Sequence, residues 1–495
     1  RPPCVRGSLP FPAARAEGLP VLFNSLEYLI FLSVVFLLFW GLVRLRLARV
    51  VLLFVASYLF YISWNPAYIL LIAGSTLLDY LCGGLIDRTD DPRRRKLYLF
   101  FSVAGNLGLL GYFKYANFFW RSGRDLAGLL GLDVASLPAS FDILLPAGIS
   151  FYTFASMSYT LDIYRREIRA CRDLLEYALY VAFFPQLVAG PIVRAREFLP
   201  QLETRPALSL ERAGGALFLI LKGMLKKVVI ADYLAVNLVD RVYDNPSWYS
   251  SGEVAVAIFA YSLQIYYDFS AYTDIARGSA LLFGFELPEN FRRPYQSQNV
   301  AEFWQRWHMT LSRWIRDYLY ISLGGSRGTR LATYRNLIVT WLLMGLWHGA
   351  SWTFVAWGGF YALALSLNHL RRERAGGKRP GRVDGWRGAG RTALTLTIVT
   401  GAWIPFRSPT FGGMLDVLGR LVAGDPGFGQ ITPSLWVVFA LGWAIQLSPA
   451  RWVEGAQRQF VRLPAPVKGA VAAGIGAALL QLAEAMPVPF IYFQF

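Results

Sequence analysis

Apolar stretches of bilayer-spanning length recur along almost the whole chain, and this constrains the fold more than any other feature. They run near 22–43, 50–64, 67–87, 97–119, 143–162, 213–235, 253–285, 333–348, 350–369, 391–407, 432–448 and 469–486. A helix of about 20 residues matches the hydrocarbon thickness of a bilayer and satisfies its own backbone hydrogen bonds, as lipid requires. Composition agrees: 55% of the residues are hydrophobic and only 16% charged, against about 25% charged in soluble domains. The expected fold class is therefore an all-α polytopic membrane protein with about 10–12 transmembrane helices. One apolar stretch, ALYVAFFPQLVAGPIV at 178–193, is interrupted by Pro185, Gly190 and Pro191. Proline removes a helical hydrogen bond, so a broken or re-entrant segment buried against protein is predicted there.

Charge gives the orientation. The loops at 44–49, 88–96, 165–172 and 451–468 are basic, and 371–391 holds eight Lys and Arg against two acids. The loops at 65–66, 121–142 and 408–431 carry few or balanced charges. The two sets alternate along the chain, which makes the basic set cytoplasmic and puts both termini outside. The net charge of +17 is then a matter of topology and lipid-surface contact. A nucleic-acid partner is not expected, because no basic soluble domain is present to bind one.

Residues 1–20 are rich in Pro and Arg, lack the apolar core of a signal peptide and begin without Met. They read as a disordered or spurious extension, with Val21 as a candidate translation start and 21–495 as one membrane domain. Cys4, Cys82 and Cys171 are scattered without metal spacing, and no phosphate loop or zinc motif occurs. No metal or bound cofactor is expected.

Polar residues gather between 261 and 350. Asp268 and Asp274 stand in an apolar run, six residues apart and so on different sides of a helix. Asp274 is spaced to pair with Arg277 along one face. Either the carboxylates hold helices together or they do chemistry. The next stretch, NVAEFWQRWHMTLSRWIRDYLYISLGGSRGT at 299–329, places Phe303, Trp304, Trp307, Leu311, Trp314 and Ile315 on one helical stripe. With Arg306, Arg313, Arg316 and Asp317 around it, it reads as an interfacial or half-inserted helix at the cytoplasmic face. The chain has three histidines. His308 follows Trp307 at the edge of that stripe, and His348 follows Trp347 inside WLLMGLWHGASWTFVAWGGF at 341–360. Ionisable groups at membrane depth are functional candidates. For the two histidines, catalysis, helix packing and haem or metal ligation all remain open on the residues alone, although no further ligand cluster accompanies them. His369 reads as an ordinary interfacial side chain.

LFNSLEYLIF, LLPAGISFYTFASMSYTLDIYR, FFPQLVAGPIVRAREFLPQL, QIYYDFSAYTDIARGSALLFGFELPENFRRPY, FWQRWHMTLSRWIRDYLYISLGG and GLWHGASWTFVAWG follow one another in order. In these stretches the chain resembles the membrane-bound O-acyltransferase family, and within it the bacterial branch that O-acetylates alginate. The likeness runs from 21 to 495 and includes the terminal FIYFQF; small departures fall at Ala271, Thr273, Ser322 and Ser326. It implies a ring of helices around a thin centre pierced by a channel, with His348 catalytic and His308 a second essential or supporting residue.

Acyl transfer from a thioester to a hydroxyl needs a base and a stabiliser of the tetrahedral oxyanion. A neutral His348 is expected to take the hydroxyl proton, and His308 to orient the donor or polarise its carbonyl. Trp304, Trp307 and Trp347 are candidate walls of an acyl channel, with packing as the alternative. Arg313, Arg316 and Asp317 are candidate contacts for a phosphorylated donor, with structural pairing as the alternative. Ser312 and Ser351 lie near the histidines but not in a nucleophile elbow, so direct transfer is preferred to a covalent intermediate.

The expected donor is acetyl-CoA or another acyl thioester, and the acceptor an exported cell-envelope polysaccharide. Short outer loops imply a periplasmic acetyltransferase or polysaccharide-processing partner, and the expected location is the bacterial inner membrane. Peptidoglycan O-acetylation and D-alanyl transfer to teichoic acid are the alternatives within the family. Outside it stand a lipid-linked sugar transporter, for which no inverted repeat is evident, and a scaffold, which needs no buried histidine.

Overall fold

The computed structural model describes residues 22–134, 136–188, 190–376, 381–485 and 488–491. The expectation for residues 1–20 lies outside them. Among the described residues there is no strand; the chain is a bundle of helices. Their starts are written locally. Ser250 and Glu253 form a reciprocal cap on Ser251–Leu282, Thr329 caps Arg330–His348, and Ser351 caps Trp352–Arg374.

Tyr68–Arg88 and Ala465–Leu482 are each long and apolar enough to cross a bilayer unaided, and Pro433–Leu447 meets Ala450–Arg462 at a 95° bend. Most other spans carry polar groups that the bundle interior absorbs. Ser251–Leu282, 32 residues long, is buried through most of its second half, including Gln264, Asp268, Ser270, Thr273 and Asp274.

The loops sort by charge. Arg46–Glu176, Arg166–Asp90, Arg169–Asp87 and Arg196–Glu167 tie basic loops to one another at one end. Segments 113–117, 143–145, 350–354 and 406–409 come together around a cavity at the other. At 178–193 the chain is broken as its prolines require, into Leu174–Ala182 and Phe184–Leu187. Side chains answer the freed backbone: Phe184 N–H donates to Ser57 Oγ (3.1 Å), Ile192 N–H to Thr310 Oγ1 (3.1 Å), and Gln186 Nε2 to the Tyr180 carbonyl (2.7 Å).

The buried carboxylates find partners the sequence spacing did not name. Asp274 pairs with Lys222 (3.0 Å) and Lys226 (2.6 Å), not with Arg277, whose Nε donates to the Leu287 carbonyl (3.3 Å). An interhelical lysine pair reaches a buried carboxylate from the facing helix, whereas Arg277 projects toward the helix end. Asp268 faces another way and shares Lys227 with Asp232, at 2.8 and 2.7 Å.

Candidate active site

Arg330–His348 and Trp352–Arg374 form a hairpin with unusually close backbones. A Cβ on Gly345 would strike the Phe354 carbonyl, and one on Gly358 the Trp341 carbonyl. This contact sets His348, the last residue of its helix, against Trp357. The ring is 3% exposed and meets Trp347, Trp357 and Phe406 edge-on, at centroid distances of 5.0, 4.9 and 5.3 Å.

His308 is fully buried. The continuous interfacial helix expected over 299–329 does not form. The chain runs Val300–Arg306, turns at Trp307 and His308, and resumes as Met309–Trp314 followed by a π-helical turn, Ile315–Tyr320. His308 has φ +40°, a left-handed conformation that costs a non-glycine residue about 1–3 kcal/mol. The break carries the tryptophan stripe into the protein interior rather than along the interface. Helical periodicity reports one buried face, but not that the helix would be cut and folded inward.

Asn290 holds the break. Its Oδ1 accepts from Thr310 N–H (3.2 Å) and Thr310 Oγ1 (2.9 Å), so the atom facing His308 Nδ1 at 3.0 Å is an acceptor. Neutral His308 therefore carries its proton on Nδ1 and presents an unprotonated Nε2, which has no hydrogen-bond partner among the described residues. This tautomer makes His308 an acceptor at its free nitrogen, which suits orienting the donor rather than polarising its carbonyl. Replacing Asn290 with alanine strands a buried N–H and releases the tautomer. An unsatisfied group of this kind costs about 1–3 kcal/mol, so kcat for acyl transfer should fall roughly ten- to hundredfold. Measured turnover of a folded Asn290→Ala protein at the wild-type rate would contradict the assignment.

The two histidines flank one ring. Trp347 is 6.3 Å from His308 and 5.0 Å from His348. Phe154 and Phe151 close its other sides, and Phe269 packs edge-on to His308 at 4.7 Å. Phe490 lies on Phe269 and Tyr272, and Ile491 N–H donates to Asp268 (2.7 Å), so the stretch 488–491 closes this region. Trp304 packs on Trp341, Trp357 and Tyr361, one ring away from His348. Trp307 packs on Phe291, Phe303 and Trp403 and reaches His308 through Phe291.

Arg313, Arg316 and Asp317 are not brought to the histidines. Arg313 Nε donates to the Met309 carbonyl (3.3 Å), while Asp317 joins Arg316 and Arg194, each at 2.7 Å. None of the three lines either cavity beside the histidine pair. Those cavities were invisible in the sequence. One, of about 740 Å³, is lined by Lys222, Lys226, Arg277, Arg292, Arg293 and Asn290 among others, and so ends on the residue that holds His308. The other, of about 360 Å³, is lined by Lys114, Ser351, Thr353, Phe354, Phe406 and Arg407 among others, and ends on Phe406, one of the rings around His348. Lys114 was missed as a site residue, although a lysine inside the apolar stretch 97–119 was signal enough. Asn290 gave no sequence signal beyond its place in ELPENFRRPY. Among the described residues no cluster of three or more His, Cys, Asp or Glu is arranged to hold a metal.

Residues 140–373, which contain both histidines, match the profile of the membrane-bound O-acyltransferase family. A probable alginate O-acetylase of Azotobacter vinelandii is 41% identical over 415 residues, 82% of this chain and 78% of that protein. The chain belongs to the membrane-bound O-acyltransferase family. Membership makes it an O-acyltransferase and agrees with its all-helical, apolar architecture. Within the family, a peptidoglycan O-acetyltransferase of Helicobacter pylori is 34% identical over 406 residues, 75% of this chain and 73% of that protein. A teichoic acid D-alanyltransferase of Bacillus subtilis is 27% identical over 234 residues, 44% of this chain and 58% of that protein.

Proposed function

We propose that the chain is a multi-pass protein of the bacterial inner membrane that moves an acyl group, acetyl in the first instance, from a cytoplasmic thioester to a hydroxyl of an exported cell-envelope polysaccharide. The observation that carries this is the pair His308 and His348 on either side of Trp347, with one cavity ending on Asn290 beside His308 and another on Phe406 beside His348. The larger cavity lies toward the basic loops; its Lys222, Lys226 and Arg292 are paired with Asp274 and Glu289 of the same lining, so Arg277 and Arg293, which donate to backbone carbonyls, are the cations that suit the phosphates of acetyl-CoA or another phosphorylated acyl carrier. It takes over the role expected of Arg313, Arg316 and Asp317. The smaller opens among the loops of even charge, where an exported acceptor arrives.

His348 accepts the proton of the acceptor hydroxyl as its oxygen attacks the thioester carbonyl. The tetrahedral intermediate collapses with loss of the thiolate, which takes the proton back from the imidazolium and leaves as thiol. His308 Nε2 accepts a hydrogen bond from the donor and fixes its approach, and the ring of Trp347 lies between the two histidines. No carbon–oxygen bond to the protein is needed. Alginate-like polymers are the first acceptors to consider, from the Azotobacter relative; the Helicobacter relative makes peptidoglycan the second. The short outer loops favour a periplasmic partner that completes delivery to polymer.

The test is transfer of labelled acetyl from acetyl-CoA inside vesicles holding the purified chain to a polysaccharide outside, with and without periplasmic extract. Label should reach the outer side in ester linkage only when the chain is present. Export of intact donor without ester formation would favour a transporter instead. Stable acetylation of polymer by the chain alone would remove the partner.

A further inference from the structure

The helices Tyr68–Arg88, Pro92–Leu110 and Ile149–Tyr164 pack against one another and enclose a polar cluster that acyl transfer does not use. Asp79 stands near the middle of Tyr68–Arg88, a helix apolar enough to cross the bilayer unaided. Ser102 Oγ donates to its Oδ1 (2.6 Å), and Asn106 Nδ2 (2.8 Å) and Ser156 Oγ donate to its Oδ2. Thr160 Oγ1 lies 2.8 Å from Ser102 Oγ and completes the cluster. All five residues are fully buried.

An ionised carboxylate is an acceptor only, and each of these partners donates to it. All three are neutral. Asp268 and Asp274 are different, because lysines pair with them. A carboxylate at membrane depth is costly unless its charge is answered. The Asn106 amide reaches Asp79, yet its Oδ1 has no hydrogen-bond partner among the described residues. A buried, orphaned amide oxygen beside a carboxylate without a counter-charge needs an explanation, and one cation answers both.

We infer that Asp79, Ser102, Asn106, Ser156 and Thr160 form a binding site for one sodium ion. The ligands are the carboxylate, three hydroxyls that rotate their protons outward, and the amide oxygen once the Asn106 side chain turns over. Such hard oxygen donors suit alkali and alkaline-earth cations rather than transition metals. A single negative charge selects a monovalent ion, since a divalent one leaves a net positive charge in the bundle interior. Close packing selects a small one. A Cβ on Gly83 would strike the Tyr159 ring, and one on Gly105 the Leu78 side chain, so the helices have no room to part for K⁺. The ion braces the wall behind the histidines. Ile149–Tyr164 also carries Phe151 and Phe154 onto Trp347, and Pro92–Leu110 runs on into the turn Gly111–Tyr115, whose Lys114 donates to the Trp347 carbonyl.

The test uses the purified full chain in detergent and needs no acyl donor, acceptor or partner protein. Thermal unfolding is followed by tryptophan fluorescence in NaCl and in KCl at equal ionic strength, so that screening is the same. The wild-type midpoint should be higher in NaCl by about 2 °C or more, because an ion bound only by the folded state stabilises it. Radiolabelled Na⁺ should be retained to saturation at one ion per chain and be displaced by unlabelled Na⁺ but not by K⁺. Asp79→Asn keeps the size of the side chain and removes the charge, and it should lose both responses. Thr160→Val keeps the carboxylate and removes one ligand, and it should weaken Na⁺ binding by about tenfold or more.

Equal midpoints in the two salts, with no retained Na⁺, would overturn the inference in favour of a protonated Asp79. A Na⁺ response of wild-type size in both variants would overturn it by placing the ion elsewhere. Neither result bears on acyl transfer, which the vesicle experiment tests separately.

Discussion

Alanine at position 348 should lower kcat for acyl transfer by about 10²–10⁴-fold, the range a positioned general base contributes. The KM for the thioester should change little, because the cavity proposed for the donor ends on Asn290 and Phe291, which border His308 rather than His348. A group used only as the proton moves affects kcat and kcat/KM together. The ring occupies a cage of Trp347, Trp357 and Phe406, so its removal also leaves a void, and thermal unfolding must be followed beside turnover. His348→Gln, which fills more of the cage but accepts no proton, should be as inactive as His348→Ala and more stable. Wild-type acetylation by either variant, with its fold intact, would remove His348 as the base.

Lys227→Met should destabilise the protein by about 3–5 kcal/mol, the cost of stranding buried charge by removing one partner. The Lys227, Asp232 and Asp268 side chains are 1%, 3% and 4% exposed, and the ammonium lies 2.7 and 2.8 Å from the two carboxylates. Without it, two anions face each other in the bundle interior. Asp268 is anchored further by the Ile491 N–H, so the damage should reach the 488–491 stretch that packs on Phe269 and hence on His308. Combining Lys227→Met with Asp232→Asn and Asp268→Asn should recover much of the loss, because the triad's value lies in mutual compensation. Unfolding in detergent, followed by tryptophan fluorescence, reads both effects. A single Lys227→Met variant as stable as wild type would show that the triad is not closed as described.

The chemistry of the site was legible where a residue type is expensive in its setting. His348 in an apolar run, and the carboxylates of Ser251–Leu282, advertise themselves because lipid and protein interior charge heavily for ionisable groups. Partners were not legible. Asp274 finds Lys222 and Lys226, and His308 finds Asn290 18 positions away, because contacts between helices follow no spacing along the chain. The stretch 299–329 shows the limit within one segment: its period is helical, yet the chain is cut at His308 and carried inward.

By itself the sequence determined the membrane solvent, the helical class, the approximate spans, the grouping of basic loops and the two histidines worth watching. These follow from local rules: a bilayer fixes helix length, prolines break helices, and cations collect on one side. Only the tertiary structure decided that both histidines flank Trp347, which tautomer His308 takes, and that one cavity ends on Asn290 beside His308 and another on Phe406 beside His348. It also turned Lys114 from one lysine in an apolar span into the cation beside His348. The reason is that a site is made by close packing between distant segments, and the hairpin crossing at Gly345 and Gly358 exists only once both helices are side by side.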